Sequence, residues 1–210
     1  MRGRSRSIVD HYDRRAHIYE DACKVCRSDT GKIFQEIKAC VAGNISGNLL
    51  DVGCGTGLAS EPFASPGLKI YGIDGAPRML KRFSEKGFAH SWKIVDLNKE
   101  RLPFAGDFFD YVISNGVFCL LPQLDTVIED VGRVIKGGGI FCFTVENVNK
   151  AMPAKCSRSG MDIYRHSLDY LNGILEKSGF NLISWSNYRD YESMLDSMVI
   201  VFTVILCQKK

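Results

Sequence analysis

The residues best equipped for chemistry stand in LLDVGCGTG, 49–57, where an apolar run is followed by the carboxylate of Asp51 and then by Gly53, Gly55 and Gly57. Glycines so spaced let the backbone turn tightly and bring main-chain N–H groups against a ligand at the start of a helix. The third glycine comes one residue too early for a GxGxxG dinucleotide fingerprint, Leu58 stands where that fingerprint needs glycine, and no GK[ST] follows to make a Walker A loop. Asp51 would repel a pyrophosphate. It would welcome a ligand carrying an ammonium and a sulfonium, as S-adenosylmethionine (SAM) does. A second acid, Asp74, ends the next apolar run, KIYGID, where a carboxylate accepts hydrogen bonds from both hydroxyls of a ribose. NAD enzymes use an acid in the same way, so Asp74 marks an adenosine-type ribose without deciding between the two cofactors.

These residues need a scaffold. Short apolar runs, NLLDVG, KIYGID, WKIVD, FDYVISNG and GIFCFTVEN, alternate with helical patterns over 58–64, 76–86 and 123–135, which predicts a mostly parallel sheet with helices on both faces. Pro62 should keep the first of these helices short or kinked. At the end NLISWSNY and MVIVFTVILC follow each other without a crossover helix, so a hairpin is expected to add one antiparallel strand. Ahead of the sheet the pattern over 8–42 is helical, with Ala16, Tyr19, Ala22 and Cys23, then Ile33, Phe34, Ile37 and Val41, and Gly31 divides it into two helices. Gly43 and Gly47 mark the boundary between an N-terminal helical cap, 1–46, and a core, 47–210, within one domain overall. The stretch 147–166 has no regular pattern and reads as a long functional loop.

Composition agrees with a globular enzyme. Of 210 residues 45% are apolar and 24% charged, which excludes collagen-like, disordered and polytopic membrane chains. The net charge of +3, 27 basic against 24 acidic residues, is supplied by Arg2, Arg4 and Arg6, so the body offers no basic nucleic-acid face. The run 198–207 is about half the ~20 residues of a membrane helix. No apolar signal segment opens the chain, and a cytoplasmic location with reduced thiols is expected for the eight cysteines. Cys23 and Cys26 form a CxxC without a second pair, so no zinc or other metal site is expected.

The sequence resembles the class I SAM-dependent methyltransferases over about 12–208. LLDVGCGTG is similar to that family's first motif, YGIDGAPRML to its second, WKIVDLN to its third, FDYVISNGVFCLLP to its fourth, and GRVIKGGGIFCFTV to the next helix-turn-strand unit. The resemblance implies a Rossmann-like seven-stranded sheet with one antiparallel strand and SAM as cofactor. It places Tyr19, Asp51, Gly53, Cys54, Gly55, Gly57, Asp74, Gly75, Met79 and Asn115 around the cofactor, with Asp96 and Leu97 bracketing the adenine. YDRRAHIYED is similar to a segment whose tyrosines close over the cofactor in small-molecule methyltransferases; Tyr12 and Tyr19 would share one helix face. IYRHSLDYLNGILEKSGF and the C-terminal strands resemble the small methyltransferases related to the Williams-Beuren-region protein and those joined to tetratricopeptide repeats.

A methyl on sulfonium is already activated, so the protein must chiefly align the acceptor and exclude water. A base is required only where the acceptor arrives protonated. The resemblance puts His166 at the mouth of the site as first candidate for that base, and Glu146 second, although Ser167 also looks like a helix N-cap. Tyr12, Phe118, Asn147, Tyr164 and Arg165 are expected on the acceptor side. The fourth motif reads SNGV rather than a Pro-Pro-aromatic clamp for a base amine, and no Pro-Cys nucleophile motif is present, so a small molecule or a protein group is the expected acceptor rather than a nucleic acid. A catalytically silent SAM-binding subunit and an NAD-linked oxidoreductase are the alternatives.

Overall fold

Within the run Gly47–Val52, Leu49, Leu50 and Val52 are fully buried although successive side chains point to opposite faces. A strand buried on both faces belongs in the middle of a covered parallel sheet. The computed structural model, which describes residues 7–25, 30–146, 154–158, 160–191 and 199–210, places it there. Strand β1 (Gly47–Val52) pairs in parallel with β2 (Leu68–Asp74) on one side and with β4 (Phe109–Ser114) on the other. β3 (Ala89–Ile94) extends the sheet beyond β2, and β5 (Ile135–Glu146) beyond β4, again in parallel. The hairpin of β8 (Phe180–Tyr191) and β9 (Val199–Lys209) completes the order β3-β2-β1-β4-β5-β9-β8, with β9 antiparallel to both neighbours. This is the expected seven-stranded Rossmann-like sheet.

The chain moves outward from β1 to β3, then crosses back to β4. The strand order therefore reverses between β1 and β4 and opens a crevice at their carboxyl ends, the place where open α/β sheets bind ligands. Alternation along the strands sorts the core into two layers. Leu50, Val52 and Val112 pack with α5 (Asp125–Val134) and α6 (Leu168–Lys177), whereas Leu49, Ile70 and Ile113 pack with α3 (Lys32–Cys40) and α4 (Pro77–Glu85).

Three local features depart from the sequence reading. The stretch 8–42 holds three helices, α1 (Ile8–Arg15), α2 (Tyr19–Val25) and α3, because Ala16, buried against Ala76 and Met79, sits in a turn that ends the first. The helix expected over 58–64 is a single 3-10 turn, Glu61–Phe63. Pro62 has no N–H to give and is accommodated only in an opening turn, which ends at Ala64. The expected patternless loop 147–166 contains a small antiparallel hairpin, β6 (Lys155–Arg158) with β7 (Met161–Tyr164); its buried Met161 and Ile163 flank exposed Asp162, a period of two too short to read against polar neighbours.

Two glycines predict opposite outcomes. A Cβ at Gly72 would stand 2.5 Å from Phe83 Cε1 and 2.8 Å from Cys54 Sγ, so Gly72→Ala overpacks β2 against α4 and should cost about 1 to 3 kcal/mol. Gly173 lies on the exposed face of α6 with nothing within 4 Å of a built Cβ, so Gly173→Ala should raise stability by roughly 0.5 to 1 kcal/mol. Urea unfolding midpoints of the two variants measure both.

Candidate functional site

The glycine loop is fixed before any ligand arrives. As β1 ends, the N–H groups of Gly53 and Cys54 both donate to Ile73 O, at 2.8 and 2.9 Å, which ties the loop to β2. Asp74 then accepts from Gly55 N through Oδ2 and from Ala76 N through Oδ1, each at 2.8 Å. Burial raises its carboxyl above the usual range while those N–H donors pull it back. The backbone at Gly53, Gly55 and Gly57 is left-handed, at φ of 72, 53 and 85°. Nothing lies within 4 Å of a Cβ built on Gly55, so the loop presents bare backbone to open space.

A pocket of about 730 Å3, its open mouth included, lies over this loop. Gly53, Gly55, Asp74, Gly75 and Met79 form its floor, Asp96 and Leu97 one side, and Asn115 the other. Asn115 Oδ1 accepts from Thr144 Oγ1 at 3.1 Å, and that hydroxyl in turn accepts from Gly116 N at 2.8 Å, so the side wall is anchored to β5. The Lys99 ammonium, 2.6 Å from Asp96 Oδ2, holds the Asp96 carboxyl below the usual carboxylate range. Tyr12 and Tyr19 cover the pocket with their rings 6.1 Å apart, edge to face. They belong to α1 and α2, so the expected shared helix face is corrected: the turn at Ala16, rather than helical periodicity, brings them together. Val9 packs on Gly75, where a Cβ would meet its Cγ2 at 2.8 Å, and Asp13 Oδ1 accepts from Arg78 N at 2.7 Å, so α1 is seated on the first turn of α4.

Three of the expected cofactor residues stand behind the loop instead of in the pocket wall. Cys54 is buried near Gly72, and Gly57 faces Phe83 and Phe88. Asp51 is 1% exposed, and its Oδ2 has no hydrogen-bond partner. Burial pushes its carboxyl up to about 7; the Ser60 hydroxyl opposes that shift and the Asp74 charge adds to it.

The acceptor side departs further. Phe118 is fully buried in the core against Phe141 and Phe143, while its neighbours Val117, Leu120 and Leu121 line the pocket; the apolar GVFCLLP run held the signal, and the turn chooses which residues face inward. Arg165 is buried in an ion pair with Glu146, whose carboxylate also takes Arg158 Nη2 at 2.8 Å on both oxygens, so neither Arg165 nor Glu146 faces the pocket. Tyr164 lies on β7 beneath the Lys155 ammonium, 5.4 Å from its ring. Asn147 and Cys26 fall outside the described residues. His166 is buried away from the pocket lining, with Nε2 at 3.1 Å from Phe118 O and 3.0 Å from Leu121 O. Carbonyls only accept, so Nε2 carries a proton and cannot take one. Ser167 caps α6 by accepting from Tyr170 N at 3.2 Å, which fixes His166 just ahead of that helix. The expectation of His166 as general base is thereby corrected. Ile8, Val9, Ala76, Val95 and Asn98 also line the pocket without having been singled out as site residues in the sequence.

A methyltransferase domain family matches residues 50–143, the segment that builds this loop, crevice and side wall. That segment is similar to class I SAM-dependent methyltransferases. SAM is the cofactor that this similarity implies. The malonyl-(acyl-carrier protein) O-methyltransferase of Legionella pneumophila is 26% identical over 79% of this chain and 58% of its own length. Human methyltransferase-like protein 27 is 29% identical over 65% of this chain and 53% of its own. This chain thus spans little more than half the length of either relative. A SAM-dependent methyltransferase of Methanosarcina mazei has the same fold, with a TM-score of 0.68 at 18% identity over 82% of this chain and 96% of that one. Among the described residues no helix is long and apolar enough to cross a membrane.

The residues of the matched segment fit that cofactor: a buried carboxylate oxygen without a partner behind the loop, bare glycine backbone in front of it, and an acid at the end of β2. The lone Asp51 gives a measurable signature. Its folded pKa of about 7 lies above the unbound value of 3.8, so the folded chain holds that proton more tightly than the unfolded chain. Stability is then fully present at low pH and falls as pH rises from about 4 to about 7, with Asp74 adding in the same sense. Urea titrations of the ligand-free protein at pH 5 and pH 8 should differ by on the order of 2 kcal/mol on this account, and Asp51→Asn should remove most of the difference.

Proposed function

We propose that this chain transfers a methyl group from SAM to a small molecule or a protein group held under the N-terminal helices. The observation that carries the reading is Asp74. Its two oxygens are each aligned by a backbone N–H, of Gly55 and of Ala76, in the floor of a crevice at the strand-order reversal. A carboxylate so fixed has lone pairs left for the paired hydroxyls of a ribose. Bound SAM supplies the activated methyl; everything else falls to the chain.

Asp96 and Leu97 would flank the adenine, with the Asp96 carboxylate accepting from its amine. Gly53 and Gly55 would meet the amino-acid end with their backbone, and Asp51 behind them would answer its ammonium. Met79 would complete the floor and Asn115 the opposite side. Tyr12 and Tyr19 keep water from the reacting carbon, and burial holds the Tyr19 phenol well above its ordinary pKa, so it stays uncharged. Among the described residues the acceptor side is lined by Ile8, Val117, Leu120 and Leu121, with no imidazole or ammonium in the lining. This composition favours an acceptor whose reacting atom already carries a free lone pair near neutral pH, a carboxylate oxygen for example, over one that must be deprotonated first. The resemblance to human methyltransferase-like protein 27 supports kinship with the Williams-Beuren-region group.

In isothermal titrations SAM and S-adenosylhomocysteine should bind and NAD should not. Asp74→Ala should lose at least about tenfold in affinity, because charge-assisted hydrogen bonds are at stake. Unchanged affinity in a folded variant would remove Asp74 from the ribose, and turnover on a panel of carboxylate, phenol, thiol and amine acceptors then identifies the reaction.

Residues 8–25 act in this reading as a lid, the functional part of the proposed 1–46 cap, since α3 carries Ile33 and Ile37 into the core whereas α1 buries no residue of its own. Hydrogen exchange at His11 to Ala22 should slow when S-adenosylhomocysteine binds. Equal protection with and without it would make the segment ordinary scaffold.

A further inference from the structure

The pocket wall formed by 117–121 is thin. Its backbone makes one 3-10 turn, with Leu120 N donating to Val117 O at 2.8 Å and Leu121 N to Phe118 O at 3.2 Å, and it carries Val117, Leu120 and Leu121 into the pocket. Val117 rests directly on the glycine loop, since a Cβ on Gly53 would fall 2.4 Å from Val117 Cγ2. Any outward drift of this turn would therefore uncover Gly53 and widen the pocket over the loop. Helix α6 holds the turn from the far side. His166 Nε2 reaches Phe118 O and Leu121 O, its ring stacks on Tyr170 at 5.7 Å, and Tyr170 Oη accepts from Leu124 N at 2.8 Å and donates to Asp125 Oδ2 at 2.6 Å. His166 also comes directly after the β6–β7 hairpin, a cap hairpin separate from the N-terminal helices: Arg165 N donates to Ala154 O at 2.8 Å, and Met161 and Ile163 of β7 pack with Leu120.

We propose that His166 is a positioning residue, whose Nε2–H clamps the 117–121 turn onto the glycine loop and thereby joins the cap hairpin to the cofactor pocket. The inference rests on the reading of that pocket as the SAM site. Burial lowers the imidazole's proton affinity and the two carbonyls oppose that shift; what they require is a proton on Nε2. His166 touches neither the pocket nor a reacting atom, so its effect passes through Val117, Leu120 and Leu121.

The test compares His166→Gln, whose amide N–H can occupy the place of Nε2–H, with His166→Phe, which keeps a ring against Tyr170 but has no donor. S-adenosylhomocysteine is titrated into each, and exchange of the Leu120 and Leu121 amides is followed without ligand, at a temperature where all variants are folded. H166F should bind about three- to tenfold more weakly than the parent, the range for one hydrogen bond, and should exchange those two amides faster; H166Q should recover most of both. Equal affinity and equal local exchange for H166F overturns the proposal. So does a lowered unfolding midpoint alone, which would make His166 a general stabiliser, or H166Q being as impaired as H166F. If the parent protein binds no S-adenosylhomocysteine, the cofactor reading fails by itself, while the exchange comparison still decides whether His166 holds the turn.

Discussion

One carbonyl organises the site. Ile73 O receives the N–H groups of both Gly53 and Cys54, and the next residue, Asp74, receives that of Gly55. This arrangement exists because β1 and β2 pair with Val52 opposite Ile73, so the end of one strand meets the end of the other with no residue to spare. A slip by one position would turn Leu49 and Leu50 to each other's face of the sheet and present a different carbonyl to the loop. The complete burial of those two leucines is therefore what fixes the loop. The α4 side then closes on it, with Phe83 against Gly57 and Gly72, so that the glycines serve both the turn and the packing behind it.

Three carboxylates share the crevice region in three different environments. Asp96 is partly exposed and satisfied by Lys99; Asp74 is buried but supplied with backbone donors; Asp51 is buried with one oxygen unsupplied. The series runs from solvent to core, and the charge becomes costlier at each step. A ligand that brings a cation to the inner end and neutral hydroxyls to the middle matches that gradient. A pyrophosphate would meet Asp74 in the lining and Asp51 behind the loop, with no compensating cation among the described lining residues. The stability forgone at Asp51 is the counterpart of a site arranged before the ligand arrives.

How much of this was legible in the sequence depended on how local each cause was. The loop, Asp74 and Asp96 are set by strand ends and short spacings, and the structure brings Gly53, Gly55, Asp74 and Asp96 to one pocket. Tyr12 and Tyr19 reach it for a reason that periodicity could not reveal, the docking of Ala16 against Ala76 and Met79. Phe118 and Leu120 differ in no local property that says which points inward; a 3-10 turn and a core already holding Phe141 and Phe143 decide it. His166 and Arg165 offered chemically competent groups, but those groups are consumed by Phe118 O, Leu121 O and Glu146, partners 19 to 48 positions away in the chain. The Ser167 cap was the one local sign that this segment belongs to the scaffold.

The family match ends at residue 143, just short of where β5 delivers Thr144 and Glu146 to the sheet edge. The β6–β7 hairpin beyond that point packs with α1 and the 117–121 turn: Ile8, Tyr12, Leu120, Met161, Ile163 and Phe202 gather into one apolar cluster drawn from four separate parts of the chain. The glycine loop and its acids thus lie within the matched segment, whereas this apolar cluster is assembled largely from elements outside it, joined to it through the 117–121 turn. An apolar wall is chemically selective. When an anionic lone pair meets a sulfonium carbon, charge is destroyed along the reaction path, and surroundings that stabilise separated charges poorly raise the reactants more than the transition state. A neutral amine attacking the same carbon keeps the positive charge throughout and gains nothing comparable. Among the described residues, the apolar part of the lining therefore supports the proposed acceptor with a free anionic lone pair.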